Sequence, residues 1–161
     1  MIVLALALGL ATLAIPSYQG LLQRWALSTE AHALVEDLRH ARAQALSRGQ
    51  PVSVCPSVDG QACATHADWG RGWLIFLDVD GNRVRSGEDR LLRQHRVASA
   101  IESITSNSSA LRAGLTYQPN GQARAAGQGL SLRGVNTGSR LVCISMQGRA
   151  AVRPEGQSQC A

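Results

Sequence analysis

The first fifteen residues of the chain constrain its fold more than any other segment. Residues 1–15 carry no charged side chain, but a helix needs ~20 apolar residues to cross a bilayer core, so this run alone is short for a span. Three interpretations remain open: a secretory signal peptide without the usual basic start, a helix buried on every side of a soluble core, or a membrane helix whose first residues precede this sequence. The third interpretation predicts that the helix continues past Pro16.

The residues after Pro16 have the period of an amphipathic helix. Apolar side chains recur at alternating spacings of four and three, as on one helical face. This stripe consists of Leu27, Ala31, Leu34, Leu38, Ala41 and Ala45. We expect the opposite face to be solvated, with Glu30, Asp37, Arg39, His40, Arg42 and Gln44.

Glycine and proline mark where this helix bends and ends. Gly49 favours a left-handed cap and Pro51 cannot continue a helix, so the end is predicted near Arg48. Pro16 is expected to bend the helix rather than end it, because proline removes one backbone hydrogen bond and crowds the preceding turn. The helix then has an apolar half over residues 1–22 and an amphipathic half over residues 23–50.

The remaining residues, 51–161, have the pattern of a β-rich globular domain. Seven segments have strand composition, namely 52–55, 72–77, 91–97, 101–105, 111–117, 129–133 and 140–145. Asp80-Gly81 and Asn120-Gly121 are hairpin dipeptides, and residues 134–139 form a longer turn. The order predicts an α+β fold in which a long N-terminal helix packs on an antiparallel sheet.

Four cysteines form two local groups, Cys55 with Cys63 and Cys143 with Cys160. Four cysteines allow three connectivities, of which pairing in sequence order is the most economical. Stable disulfides indicate an oxidising compartment. Zinc is the alternative, because Cys63 and His66 have ligand-like spacing, but no second ligand pair follows.

The sequence offers little for catalysis. It has no nucleophile elbow, zinc-protease helix or phosphate-binding glycine loop, and it contains no lysine. The residues Asp78, Asp80, Asn82, Glu88 and Asp89 resemble a calcium loop in composition. Gly81 comes too early for that loop, which favours a polar hairpin loop instead. We therefore predict a non-enzymatic protein without metal or cofactor, and a soluble periplasmic enzyme with a signal peptide remains the alternative.

Particular motifs resemble one family. Val54-Cys55-Pro56-Ser57, followed by Trp69, Gly72-Trp73-Leu74 and Phe76, is similar to the FimT/FimU/GspH family of type IV minor pilins and type II secretion pseudopilins. Pro16 matches the family's helix-bending proline if a few residues precede Met1, including the family's cleaved leader and N-terminal glutamate. The sequence is thus identified as an N-terminally truncated member.

The resemblance implies a structural role. A minor pilin or pseudopilin spans the bacterial inner membrane once, with its globular domain in the periplasm, before it is methylated and assembled. In the filament, the apolar half of its helix packs against other pilins or pseudopilins. The machine implied is either a type IV pilus or a type II secretion pseudopilus.

A second function implied by the resemblance is DNA uptake in natural transformation. Some similar proteins bind DNA through a C-terminal Gly-Arg-x-Arg stretch, and this chain has Gly148-Arg149 with Arg153 two residues beyond that spacing. Arg140 adds positive charge nearby, and the chain carries a formal charge of +5. Such arginines suit phosphate contacts without base readout.

Overall fold

The N-terminal part of the structure is one long helix. The computed structural model describes residues 2–64 and 68–160, with side chains described from residue 19 onward. Helix α1 (Ile2–Arg48) continues through position 16, as predicted. It ends where Gly49 adopts a φ of 64° and donates its N–H to the Ala45 carbonyl at 3.0 Å. Pro16, where we predict a bend, is among residues 1–18, which lie outside the part of the chain whose side chains are described.

The buried face of α1 is the predicted one. All six members of the stripe are buried, with Leu27 the most exposed at 3%. Leu21, Leu22 and Trp25, two to six residues before this stripe, are exposed. Among residues 19–64 and 68–160, no helical stretch combines the length and hydropathy that crossing a bilayer requires. Most of the predicted membrane segment, residues 1–22, precedes those residues.

The globular domain contains two antiparallel sheets. The first is five-stranded, in the order β3-β2-β1-β5-β6, and the second is four-stranded, in the order β4-β7-β8-β9. The strands of the first sheet are β1 (Val52–Pro56), β2 (Gly72–Leu77), β3 (Leu91–Arg96), β5 (Leu115–Tyr117) and β6 (Ala123–Arg124). Those of the second sheet are β4 (Ile101–Thr105), β7 (Gln128–Gly134), β8 (Ser139–Ile144) and β9 (Ala150–Val152). The predicted α+β class is confirmed.

Helix α1 packs against strands of both sheets, and the main core lies between them. Its largest fully buried side chains include Trp69, Trp73 and Tyr117. The sheets meet where Ala123 donates its N–H to the Met146 carbonyl at 3.0 Å. One helix and two sheets thus share a single hydrophobic interior.

One predicted strand is partly wrong. Residues 111–114 are not extended, because Ser108 caps a short helix, α2 (Ser109–Arg112), by accepting a hydrogen bond from the Leu111 N–H. Gly114 then adopts a φ of 124°, and a Cβ there would lie 2.6 Å from the Val54 carbonyl oxygen. The strand therefore starts at Leu115. The short strands β6 and β9 were not predicted.

The cysteines pair in sequence order, as predicted. Cys55 is bonded to Cys63 and Cys143 to Cys160, with Cα separations of 5.5 and 5.6 Å. Cys63 is therefore a disulfide sulfur rather than a thiolate ligand, and His66 lies outside the described residues. The second bridge fastens the C-terminal tail to β8.

Candidate functional site

Two acidic residues of α1 lie in the interior, which corrects the predicted solvated face. Glu30 and Asp37 are only 6% and 4% exposed. On a helical wheel of ~100° per residue they lie roughly 40° and 60° from the buried Leu34, so they border the apolar stripe. That geometry was available in the sequence, whereas their partners on β2 and β3 were not.

The two carboxylates join a polar cluster beneath the helix. Asp37 accepts hydrogen bonds from Trp73 Nε1 and from Arg93 Nη1, both at 2.8 Å. Glu30 Oε1 lies 2.6 Å from His95 Nε2, and the His95 ring stacks on Trp73 with centroids 4.1 Å apart. Buried charged groups are tolerated when they are paired in this way. The cluster fixes α1 on β2 and β3, which suits a structural role.

Arg42 makes a second connection between the helix and the sheets. Its Nε donates to the Gly121 carbonyl and its Nη2 to the Gln147 carbonyl, both at 2.9 Å. These carbonyls belong to the β5–β6 turn and the β8–β9 turn. One guanidinium therefore links α1 to both sheets, which the predicted solvated face did not anticipate.

Close backbone packing surrounds this connection. Gly148 has a φ of 79°, and a Cβ there would lie 2.2 Å from the Gly121 carbonyl oxygen and 3.1 Å from Tyr117. Only glycine fits this approach without displacing a turn. Burial raises the pKa of the Tyr117 phenol far above its ordinary value, and the charge of Arg42 offsets only part of that effect.

Two of the three arginines proposed to contact DNA, Arg140 and Arg149, line different clefts. Arg140 lies in a cleft with Arg24 and Leu27 of α1, and its Nη2 is 2.5 Å from Glu155 Oε1. Arg149 is exposed in the β8–β9 turn and lines a groove with Arg39 and Arg42. Leu27 in the first cleft and Arg39 in the second are 12 positions apart along α1, a distance of roughly 18 Å. Arg153 follows β9 and is half-buried.

The aspartates of the predicted polar loop do converge. Carboxylate oxygens of Asp78, Asp80 and Asp89 lie within 4.8 Å of one another. Asp78 accepts from Ser53 Oγ at 2.5 Å and from two loop amides at 3.1 Å. Asp89 accepts from the amides of Val79 and Ser86 at 3.2 and 2.8 Å. These bonds hold the loop between β2 and β3 in place and account for the positions of both buried carboxylates.

Most of the chain matches the profile of one protein family. The profile of the family described as Type II transport protein GspH matches residues 30–148, from the middle of α1 to the β8–β9 turn. The chain belongs to the GspH family. The matched segment contains both sheets except β9, and it includes the polar cluster and Arg42.

Solved structures share the fold of this GspH family member. The type IV minor pilin FimU of Pseudomonas aeruginosa is 24% identical over 86% of this chain and 97% of its own, with a TM-score of 0.64. The minor pseudopilin EpsH from the type 2 secretion system of Vibrio cholerae is 13% identical over 81% of this chain and 98% of its own, with a TM-score of 0.57. No curated protein sequence matches the chain. The minor pilin and pseudopilin fold is therefore established.

Proposed function

We propose that this protein is a minor structural subunit of a pilus or pseudopilus that assembles through the N-terminal part of α1. The observation that carries the proposal is the change of environment along this helix. Its stripe from Leu27 to Ala45 is buried by the sheets, whereas Leu21, Leu22 and Trp25 are uncovered. Large apolar side chains clustered on one exposed helix segment are typical of an interaction surface.

In this proposal, the chain is first held in the bacterial inner membrane by the uncharged segment of residues 1–15, with the sheets in the periplasm. The disulfides agree with that compartment, because thiols stay reduced in the cytosol. The partners are other pilins or pseudopilins, which cover the exposed helix in the filament. Of the two machines, we propose the type IV pilus, because the Cys-Pro-Ser motif and the disulfide between Cys143 and Cys160 resemble FimT-type minor pilins more than GspH-type pseudopilins.

A charge placed on the exposed helix tests this function. We expect Leu22→Asp to abolish incorporation into purified filaments, because assembly would bury the new carboxylate among apolar helices. Met146→Asp is the matched control, since Met146 is similarly exposed, at 58% against 47% for Leu22, but lies on the globular domain. Immunoblots of sheared filaments measure the incorporation of both variants. Equal incorporation of the two variants would contradict assembly through this helix.

DNA binding remains a second candidate function, favoured by the groove that Arg149 forms with Arg39 and Arg42. Arg149 and Arg39 are exposed, whereas Arg42 is committed to two carbonyls. The phosphate-binding pair would therefore be Arg39 and Arg149. Arg140 already contacts Glu155 and lies elsewhere on the domain.

The salt dependence of DNA binding tests this candidate. If Arg39 and Arg149 contact phosphates, replacing both with Ala should lower the slope of log affinity against log salt by roughly two, because each contact releases about one counterion. The matched control replaces Arg90 and Arg96, which are exposed on or beside β3. A similar loss from both pairs would indicate general attraction to a basic protein.

A further inference from the structure

The strand β9 forms one edge of the second sheet, since only β8 pairs with it among the described residues. Ser145 donates its N–H to the Arg149 carbonyl at 2.9 Å, and Arg153 donates to the Leu141 carbonyl at 2.8 Å. In an antiparallel ladder, alternate residues bond to the same neighbour. The backbone N–H and C=O groups of Arg149, Ala151 and Arg153 therefore point towards β8. Those of Ala150 and Val152 point away from it.

Ala150 borders a groove between β9 and the C-terminal half of α1, and Val152 follows Ala150 along the same strand edge. The helix side is lined by Arg39, Arg42, Ala43 and Leu46, and the strand side includes Arg149 and Ala151. Leu46 is 51% exposed. The groove thus combines the outer edge of β9, an apolar wall and positive charge.

We propose that this groove accepts an extended acidic segment of another polypeptide, which adds a strand to the second sheet beside β9. Backbone groups of the segment pair with those of Ala150 and Val152, as in other cases of strand addition. Its small apolar side chains contact Ala43 and Leu46, and its carboxylates pair with Arg149 and Arg39.

The positive charge of the groove indicates which kind of polypeptide can bind there. Among the described residues, Arg149 has no carboxylate partner, and Arg39 pairs only with the exposed Glu36. A second copy of this protein pairing edge to edge would bring the same arginines together, which is unfavourable. An acidic segment neutralises them instead. Binding of the acidic segment does not require filament assembly. A failure of this proposal can therefore be distinguished from a failure of the proposed role as a filament subunit.

The probe is a fluorescent peptide of eight alternating valine and glutamate residues with blocked ends, added to the whole protein in detergent micelles. We expect Val152→Pro to weaken binding by roughly fivefold, because proline removes one outward N–H donor. Proline is tolerated at such an edge position. Val152→Ala is the matched control, since it shortens the same side chain but keeps the N–H, and it should bind as the wild type does. Fluorescence anisotropy gives the affinities.

Two further measurements separate the sources of binding. Arg149→Ala should weaken the binding of the glutamate peptide by about threefold. It should leave the affinity for a peptide of alternating valine and threonine unchanged. A glutamate peptide N-methylated at alternate residues should lose binding to the unaltered protein, which keeps the test valid even if Val152→Pro does not fold.

Three results would overturn the proposal. The first is absence of binding by the glutamate peptide at millimolar concentration. The second is equal binding of the N-methylated and unmethylated peptides. The third is a duplex oligonucleotide that displaces the peptide and responds to Arg149→Ala but not to Val152→Pro, which would make the groove a phosphate site.

Discussion

A chain that starts at Gln23 is expected to leave the membrane fraction completely. Residues 1–15 contain eight Leu, Ile and Val side chains and no charge. Transfer of these side chains from water to lipid stabilises the membrane-bound state by on the order of 10 kcal/mol, at ~1.5–3 kcal/mol for each. Such a difference leaves almost none of the whole protein in solution. The shortened chain keeps the entire buried stripe, because that stripe begins at Leu27.

The measurement is fractionation of cells that express either form into periplasm, cytosol and inner membrane. The shortened protein is exported with a cleavable signal, so that both disulfides can form. We expect it to be soluble and monomeric by light scattering, with the secondary structure of the β-rich domain. A whole protein recovered entirely from the soluble periplasm would contradict the proposed anchor.

The second large effect is expected at Asp37. Replacing it with Ala leaves the indole N–H of the fully buried Trp73 without its acceptor and removes the carboxylate that Arg93 contacts. Breaking a buried charged network in this way typically costs ~3–5 kcal/mol. Because half of the Arg93 side chain is in water, we expect a loss of about 3 kcal/mol in the free energy of unfolding.

The preceding residue supplies the control for this experiment. Glu36 forms an exposed pair with Arg39 at 2.7 Å on the same helix. Glu36→Ala should change the free energy of unfolding by less than about 1 kcal/mol, because exposed pairs contribute little. Urea denaturation of the shortened chain measures both variants. Equal effects would mean that Asp37 does not hold the helix in place.

The elements of this fold were largely predictable because their signals are local. The spacing of apolar residues in α1 specified its buried stripe, and Gly49 specified its end. The strands β2 and β4 have the predicted bounds. Glycines and short polar turns separate the strands, so sequence alone identifies most of them.

The parts that sequence did not predict depend on distant partners. Trp73 and His95 lie 36 and 65 residues from the helix carboxylates that they contact. Arg42 looked like a solvated residue because its acceptors are backbone carbonyls, which have no signature in the sequence. Likewise, β9 has only three residues, and it becomes a strand because β8 provides the other half of its ladder.

The position of α1 also determines how the domain responds to mechanical load. A pull on the N-terminal end of this helix is directed along its axis, and the buried stripe from Leu27 to Ala45 lies parallel to that axis. The contacts are therefore loaded in shear, and they must give way together rather than one after another. Arg42 adds resistance at the far end by linking the helix to turns of both sheets. Survival under tension is governed by the rate of unfolding, and we expect this arrangement to keep that rate low.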